Sequence, residues 1–562
     1  MSQRHPTPID DVAETHIRNE AQLNPDLAIY LGLEGDKTQF GDLSPQGQQA
    51  HKDLYTSTRT RLERLQPRDE VDWVTKTDLL RELNVELDLI EAGAAQRDLN
   101  NLASPSQDIR MSFDMLPKHS EEDWQVIAAR LANVPHAMEG YIATLRQGIE
   151  TGNAPAARQV EIVTATLDDY LDEHGYFHRL IHPATNLSPG LRADLERGAQ
   201  RATRAYAEFA AFLTGELYGR ATSRDAVGRE FYELHSRRFL GASIDLDETY
   251  QWGVEELQRM RQEQLDVANQ ILPGATVAEA IAHLDADPAR TLHGTQALQE
   301  WMQRTSDAAI EALGTTHFDI APALTNLQCM IAPTTSGEIY YTPPTDDFSR
   351  PGQMWWSVPR GVETFTTWRE KTTVYHEGVP GHHLQLGQAI YNRDLNLWRR
   401  SAGTSGHAEG WALYAERLMQ ELGFMDDPGD LLGLLDGQRM RAARVVLDIG
   451  VHLEKPTPPH ALPEAHAGVW DYEFALAFMH NNVAMDRAFI EFEVNRYFGW
   501  PGQAPSYKIG QRIFDQLRAH AQSQPGFDFT TYHMQILNLG GLGLDTLQQA
   551  LTRADQTNQR PR

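Results

Sequence analysis

The spacing of apolar residues constrains the fold of this chain more than any other feature of its sequence. In LLRELNVELDLIEAG, within residues 53–97, apolar side chains recur at intervals of three and four. This spacing places them on one face of an α-helix. The pattern returns at residues 122–150, 190–221, 247–271 and 297–313. Thr276, with Glu279 three residues later, adds a helix-start signal. We therefore expect a mainly α-helical fold.

The helical pattern weakens near residue 315. The segment FDIAPALTNLQCMIAPTTSGEIYYTPPTDDFSRPGQMWWSVP is rich in proline, glycine and strand-forming residues, and QMWWSV predicts a short strand. The helical pattern resumes at 364–392 and dominates to the end of the chain, interrupted by a proline-rich loop at 456–466. We divide the chain into an N-terminal helical region, 1–325, and a second region, 326–562, and expect the two to form one fused body.

Charge and cysteine content restrict the possible partners and location. The 562 residues carry a formal net charge of −28, which repels the phosphates of nucleic acid. A single cysteine excludes an intrachain disulfide, as is usual in a reducing compartment. The N-terminus has no apolar segment typical of a signal peptide, and no stretch approaches the ~18 apolar residues of a membrane helix. We expect a cytoplasmic protein without nucleic-acid or membrane partners; the oligomeric state stays open.

The segment that carries chemistry begins with His376-Glu377 and continues through Pro380-Gly381 to His382-His383. Imidazole is a good zinc ligand, and a neighbouring carboxylate can take a proton from metal-bound water. The histidines of a regular zinc-peptidase helix lie four residues apart, but here the spacing from His376 is six or seven. Neither spacing allows a shared zinc across an unbroken helix, because Zn–N bonds are only about 2 Å long.

Proline offers a solution to this spacing problem. Pro380 cannot donate to the carbonyl of His376, so the helix should break there. If the Val-Pro segment loops out, His382 takes the place of the usual second histidine. We favour His382 as a ligand, with His383 as the alternative. A third ligand is expected from Glu409, at the start of an amphipathic helix, although Glu416 lies on the same face seven residues later.

At these residues the chain resembles the bacterial family known as domain of unknown function 885. The family's His-Glu-x-x-Pro-Gly-His-His-Leu-Gln core is matched from His376 to Gln385, and its Glu-Gly-Trp-Ala-Leu-Tyr-x-Glu segment from Glu409 to Glu416. Further similar segments are Asp448–His452, Arg496-Tyr497 and Pro501–Gly510. One departure is the loop LEKPTPPHALPEAHAGVWDY, where the family is expected to be more regular.

The resemblance implies a large helical body with a deep cleft, similar to the oligopeptidases and angiotensin-converting enzyme, with a small β element near the active site. It also implies zinc as cofactor, short peptides as substrates and a His–His–Glu ligand set. Region 326–562 would then be the zinc-binding catalytic region. Substrate preference is the property that the divergent loop puts in question.

The roles of individual residues follow as hypotheses. Zinc held by His376, His382 and Glu409 would keep one position open for water, and Glu377 would act as the general base of amide hydrolysis. Tyr507 and His533 are candidate donors to the oxyanion, although each could instead be a structural residue. We predict substrate contacts at three further residues, Tyr341, Arg496 and Lys508.

Two sites allow more than one interpretation. Tyr340-Tyr341 and the stretch 353–358 could form an edge strand that receives an extended substrate. Asp448 and His452, four residues apart on one helix face, could support a metal ligand or form a buried polar pair. Two rival functions also stay open. The first is hydrolysis of a non-peptide amide; the second is a catalytically silent helical binding protein, against which the presence of Glu377 argues.

Overall fold

The computed structural model is mainly helical, with two small sheets, as the apolar spacing predicts. It describes residues 4–172, 174–185, 187–314, 316–334, 339–459, 461–462 and 468–558. Residues 460 and 463–466 of the predicted proline-rich loop lie outside this description. Within the described residues, no helix is both long enough and apolar enough to span a membrane.

Fourteen α-helices precede the first large sheet in the described part of the chain. The longest of them, α6, begins at the capping box of Ser120 and Asp123 and ends at Gly152, whose φ of 72° few other residues adopt. The bounds are α1 Pro8–Leu23, α2 Pro25–Leu31, α3 Pro45–Glu63, α4 Glu70–Glu91, α5 Pro105–Met111, α6 Glu121–Thr151, α7 Ala157–Thr166, α8 Asp168–Leu171, α9 Tyr176–Ile181, α10 Pro189–Phe212, α11 Arg229–Leu240, α12 Leu246–Ile271, α13 Val277–Asp285 and α14 Thr295–Gly314.

Two details of these helices bear on the sequence predictions. The helix-start signal at Thr276 is confirmed, because its side chain accepts from the backbone N–H of Glu279 in a capping box. The helical pattern at 53–97 belongs to two helices. It divides between α3 and α4 near Pro67, because proline disfavours the helical conformation of the preceding residue and Asp69 then caps α4.

In the part of the chain that the structure describes, the named strands lie between residues 291 and 366. Strand β1 (Thr291–His293) pairs antiparallel with β5 (Thr364–Thr366). In the second sheet, β4 (Gly352–Trp356) lies between a parallel neighbour, β2 (Leu327–Ile331), and an antiparallel neighbour, β3 (Ile339–Thr342). The expectation of an edge strand therefore fits Tyr340-Tyr341 in β3. It does not fit 353–356, whose backbone groups already face strands on both sides.

The C-terminal half places its helices around one long central element, α19. Nearly all residues of α19 between Gly429 and His452 are buried, so it passes through the interior of the protein. The bounds are α15 Thr367–Glu377, α16 His382–Tyr391, α17 Leu397–Ser401, α18 Ser405–Glu421, α19 Pro428–His452, α20 Tyr472–Asn482, α21 Arg487–Gly499, α22 Ser506–Gln522, α23 Phe529–Asn538 and α24 Leu544–Asn558.

Three apolar clusters hold these helices together. One joins α5, α6, α9 and α10, and a small one joins α1 and α4 to Trp398. The largest extends from Val74 to Leu551 and includes side chains from α12, α14, α15, α18, α19 and α22. It contains residues from both sides of position 325, and the division of the chain at that position stays a prediction.

Candidate metal centre

The helix break predicted at Pro380 brings two histidines together. Helix α15 ends at Glu377 and α16 begins at His382, so His376 lies in the last turn of one helix and His382 at the first position of the next. A side chain at Gly381 would place its Cβ 1.9 Å from the carbonyl oxygen of His376, so only glycine fits this return of the chain. The two imidazole rings lie 4.8 Å apart between centroids and are almost perpendicular.

Glu409, in the first turn of α18, completes a group of three donors. Its Oε2 lies 3.2 Å from Nε2 of His376 and 3.5 Å from Nε2 of His382. Ligands of a tetrahedral zinc ion, each about 2.0–2.1 Å from the metal, are separated by about 3.3 Å. The three side chains are largely buried, and their donor atoms lie within 4.8 Å of one another. The donor set and its spacing therefore fit a zinc ion.

A buried hydrogen-bond network determines which nitrogen of His376 faces this group. Nδ1 donates to Glu416 at 2.8 Å, which leaves Nε2 directed at Glu409. The other oxygen of Glu416 accepts from Gln438 at 3.0 Å, and Gln438 in turn accepts from Lys508 at 2.7 Å. Partners of this kind hold a ligating imidazole in one tautomer and orientation. Glu416 thus supports a donor, and the alternative of Glu416 as third ligand has no geometric basis.

Glycines allow α18 and α22 to approach closely. A Cβ at Gly410 would lie 2.6 Å from the Cα of Gly510, and a Cβ at Gly510 would lie 2.1 Å from the carbonyl oxygen of Gly406. This contact sets the first turn of α22 beside the first turn of α18. Tyr507 consequently lies near enough to Glu409 for the carboxylate charge to act on it. Burial and then Glu409 raise the pKa of the Tyr507 hydroxyl, which stays protonated and able to donate.

The three donors and Glu377 share a strongly negative, enclosed environment. Burial would lower the pKa of His376, but hydrogen bonds to Glu409 and Glu416 outweigh it and raise the pKa to about 10. Burial favours the protonated form of Glu409, yet the charges of His382 and His376 hold its pKa well below the usual range. Such a site stabilises positive charge, whether a proton or a metal ion.

Glu377 differs from Glu409 in its protonation behaviour. Burial raises the pKa of Glu377 above its ordinary value, and only then do the charges of His382 and His376 lower it. Its side chain is 7% exposed and directly follows a donor in the chain. A carboxylate with a raised pKa next to a metal position is a suitable proton acceptor near neutral pH.

The structure directs His383 away from the three donors. Its Nε2 donates to the carbonyl of Leu324 at 2.8 Å, and its Nδ1 accepts from the hydroxyl of Tyr341 at 2.8 Å. A Cβ at Gly352 would collide with both partners of the second bond, so glycine is needed there. Both ring nitrogens are used, and we therefore drop His383 as the alternative ligand. Tyr341 contacts this histidine with the hydroxyl that we had assigned to substrate.

His533 also lies apart from the three donors. Its Nε2 bonds the hydroxyl of Tyr414 at 2.7 Å, and its ring stacks on Phe318 with centroids 5.0 Å apart. Burial lowers its pKa to about 3, so it is neutral. Tyr414 is five residues after Glu409 on α18 and points to another face of the helix. We therefore retain Tyr507 alone as a candidate oxyanion donor.

Two of the predicted substrate contacts belong to internal networks. Lys508 is 2% exposed and donates to Gln438 and Gln511, so it supports the network behind His376 and does not reach a substrate. Arg496 donates to Glu493 at 3.1 Å and to Gln503, yet it lies close enough to Tyr507 to act on its pKa. Lys508 was misassigned because sequence alone cannot tell a buried lysine from one at a site.

Asp448 and His452 form structural contacts. Asp448 accepts from the hydroxyl of Tyr232 at 2.6 Å and from the backbone N–H of Gly502 at 2.9 Å, while Nε2 of His452 donates to the carbonyl of Tyr497 at 2.8 Å. Both hold the segment before α22 against α19. These contacts favour the interpretation of Asp448 and His452 as a buried polar pair over that of support for a metal ligand.

Two residues near the centre escaped the sequence analysis. Gln438 bonds Glu416, and the charge of Arg441, one turn later, acts on Glu377, Glu416 and Tyr507. A signal for them was present, because Gln438, Arg441, Arg444 and Asp448 recur at helical spacing within a largely apolar segment.

The chain belongs to a family of helical bacterial proteins. The model of the family described as bacterial protein of unknown function (DUF885) matches residues 25–551, so the resemblance seen at the His-Glu segment extends over most of the chain. Among curated proteins, no relative matches this sequence.

Two solved structures share the fold. One, described as a "putative lipoprotein" from Colwellia psychrerythraea, is 20% identical with a TM-score of 0.85, and the match covers 98% of this chain and 99% of that one. The other, a "putative lipoprotein of unknown function" from Shewanella oneidensis, is 17% identical with a TM-score of 0.73, covering 97% and 100%. These descriptions contradict our prediction of a cytoplasmic location. That prediction came from the single cysteine and the lack of signal-like or membrane-spanning apolar segments in the sequence, and these features do not determine the compartment.

Proposed function

We propose that this protein is a zinc-dependent hydrolase that cleaves amide bonds of short peptides. The proposal rests above all on one observation: His376, His382 and Glu409 bring three donor atoms within 4.8 Å of one another, and Glu409 lies 3.2 and 3.5 Å from the two histidines, close to the separation of tetrahedral zinc ligands. A zinc ion held there would polarise the amide carbonyl and make a water molecule a better nucleophile at neutral pH.

The surrounding side chains supply the remaining chemistry. Glu377 accepts a proton as the water oxygen adds to the carbonyl carbon, and returns it to the nitrogen as the C–N bond breaks. Its raised pKa suits both steps. Tyr507 is the candidate donor to the oxyanion, because burial and the charge of Glu409 raise the pKa of its hydroxyl and keep it protonated. Glu416 and Gln438 keep His376 oriented throughout.

A neighbouring cavity supports small substrates. It has a volume of about 710 Å³, and its wall includes Thr404 and Ser405, one turn before Glu409, although not the three donors. From there it extends to Asp98 and Arg238 in the N-terminal half. A space of this size admits a peptide of a few residues and excludes a folded protein.

The test combines metal content with substrate profiling. Purified protein should hold about one zinc ion per chain and should digest a mixed peptide library, read by mass spectrometry. Folded proteins should be cut far more slowly than short peptides. Zinc without peptide turnover would favour the rival hydrolase of a non-peptide amide, which uses the same residues. Protein without zinc would favour the silent binding protein and overturn the proposal.

A further inference from the structure

Three arginines surround Tyr507 at the edge of the candidate centre. Arg441 and Arg444 lie on α19, and Arg496 lies on α21; the charge of each lowers the pKa of Tyr507. The guanidinium of Arg444 lies 5.1 Å from the centroid of the Tyr507 ring. Arg441 is one turn before Arg444 and one turn after Gln438, which bonds Glu416. Along α19, Arg441 thus lies between Gln438, which belongs to the network behind His376, and Arg444, which packs on the Tyr507 ring.

These three arginines outnumber the carboxylates that form ion pairs with them. Arg444 and Arg496 share one carboxylate, Glu493, at 2.7 and 3.1 Å. Within the described residues, Arg441 forms no ion pair or hydrogen bond, and its buried Nε has no partner. The Nε of Arg496 is buried without a partner as well. A buried donor that lacks an acceptor costs about 1–3 kcal/mol, more when it is charged, so this arrangement is expected where a ligand supplies the acceptor.

Arg441 is not placed on α19 to form ion pairs with the nearby carboxylates. Its charge acts on Glu377 and Glu416 from a distance, but no oxygen of either lies within ion-pair reach of the guanidinium. Both oxygens of Glu416 are already bonded, one to His376 and one to Gln438. The planar guanidinium fork of Arg441 matches a carboxylate better than any other common peptide group.

We propose that Arg441 binds the C-terminal carboxylate of the substrate, so that peptides with a free C-terminal acid are cleaved close to that end. The inference rests on the proposed function for the cleavage itself. The recognition of a carboxylate is argued from the arginines and does not depend on the cleavage. The proposal assigns a substrate class to this site, namely short peptides that end in a free carboxylate next to the scissile bond.

The first experiment compares two peptides of identical sequence, one a C-terminal acid and one a C-terminal amide. The wild-type enzyme should show kcat/KM about 10- to 100-fold higher for the acid, since hydrogen bonds to charged groups contribute on that scale. Arg441→Gln should lose this preference through its effect on the acid alone, and Arg441→Lys should recover part of it. Arg304→Gln, at an arginine on α14 whose side chain is 68% exposed, is the charge-matched control and should keep the wild-type ratio.

A second variant moves the guanidinium without removing its charge. A Cβ at Gly437 would lie 2.7 Å from Nη1 of Arg441, so Gly437→Ala should displace the guanidinium and reduce the acid preference while the helix is retained. Equal cleavage of acid and amide by the wild-type enzyme would overturn the inference and leave the proposed function intact.

A binding experiment tests the recognition of the carboxylate independently of catalysis. Calorimetry on the Glu377→Gln protein should show that the peptide acid binds more tightly than its amide, and that Arg441→Gln abolishes the difference. If no peptide is hydrolysed but this Arg441-dependent binding is present, the carboxylate pocket stands while the proposed peptidase function fails. If neither hydrolysis nor a binding difference is observed, both are overturned.

Discussion

Two long helices, α6 in the N-terminal half and α19 at the candidate centre, use burial in different ways. Helix α6 has 31 residues and buries mainly apolar side chains, such as Ile127 and Leu131, against α10. Helix α19 has 25 residues and is buried almost all round, including the charged Asp436, Arg444 and Asp448. The buried face of α6 contributes stability mainly through apolar area, and the charge that it buries, Arg130, pairs with Asp26 far from the candidate centre in the sequence. A helix that buries charges must supply each with a partner, and α19 also carries Gln438, which bonds the Glu416 behind the donor His376.

The comparison predicts that substitutions near α19 change chemistry whereas substitutions in α6 change stability. The largest effect is expected for Glu377→Gln, which preserves shape but removes the base. Turnover should fall by roughly 10²- to 10⁴-fold while about one zinc per chain is retained. Glu409→Gln removes a charged donor and should lose zinc together with activity. Metal analysis and peptide turnover of both variants test this. If Glu377→Gln loses zinc while Glu409→Gln keeps zinc and activity, the two roles are wrongly assigned.

The next largest effect lies in α6. Leu131 is fully buried, and Leu131→Ala should lower the free energy of unfolding by about 2–5 kcal/mol, through lost apolar contact and a residual cavity. Chemical denaturation measures this change. Zinc content and kcat/KM of the folded variant should equal those of the wild type. Leu435→Ala, in α19 one turn before Gln438, is the matched control and should lower kcat/KM as well as stability. Equal loss of activity in both variants would show that substitutions in α6 affect chemistry as much as substitutions in α19.

A smaller effect is expected behind the donors. Glu416→Gln keeps the side-chain volume but removes the charge that faces Nδ1 of His376. Zinc affinity should fall by about 10- to 100-fold, as is typical when the partner of a ligating histidine is altered. Competition with a chelator of known affinity measures the change. Glu421→Gln, on the same helix but 48% exposed and paired with Arg518, should leave the affinity unchanged. A wild-type affinity in Glu416→Gln would mean that its carboxylate does not orient His376.

The smallest effect is expected on the solvent face of α6. Arg146 and Glu216 form a bidentate pair, but their side chains are 50% and 44% exposed. Arg146→Ala should change the free energy of unfolding by less than about 1 kcal/mol, because water and salt screen such pairs. A double-mutant cycle with Glu216→Ala isolates the pair. A coupling well above that value would show that the polar face of α6 contributes more than the comparison assumes.

Local physical rules made several features predictable from the sequence. Apolar spacing predicted the helical fold, and side-chain capping predicted the start of α13 at Thr276. The inability of Pro380 to donate predicted the break between α15 and α16, which lies where the sequence placed it. These features depend on residues within one or two helical turns, so neighbours in the chain suffice to determine them.

Tertiary contacts alone decided which polar residues gather at the candidate centre. His382 and His383 are adjacent and chemically identical, yet Leu324 and Tyr341 take both nitrogens of His383. In the sequence Arg441 resembles any other helical arginine, and only the packing of the helices brings its charge near Glu377, Glu416 and Tyr507. The sequence by itself determined where the helices begin, where they break and which side chains have metal-binding chemistry. The fold decided which of those side chains have a free donor atom, because that depends on partners brought from distant parts of the chain.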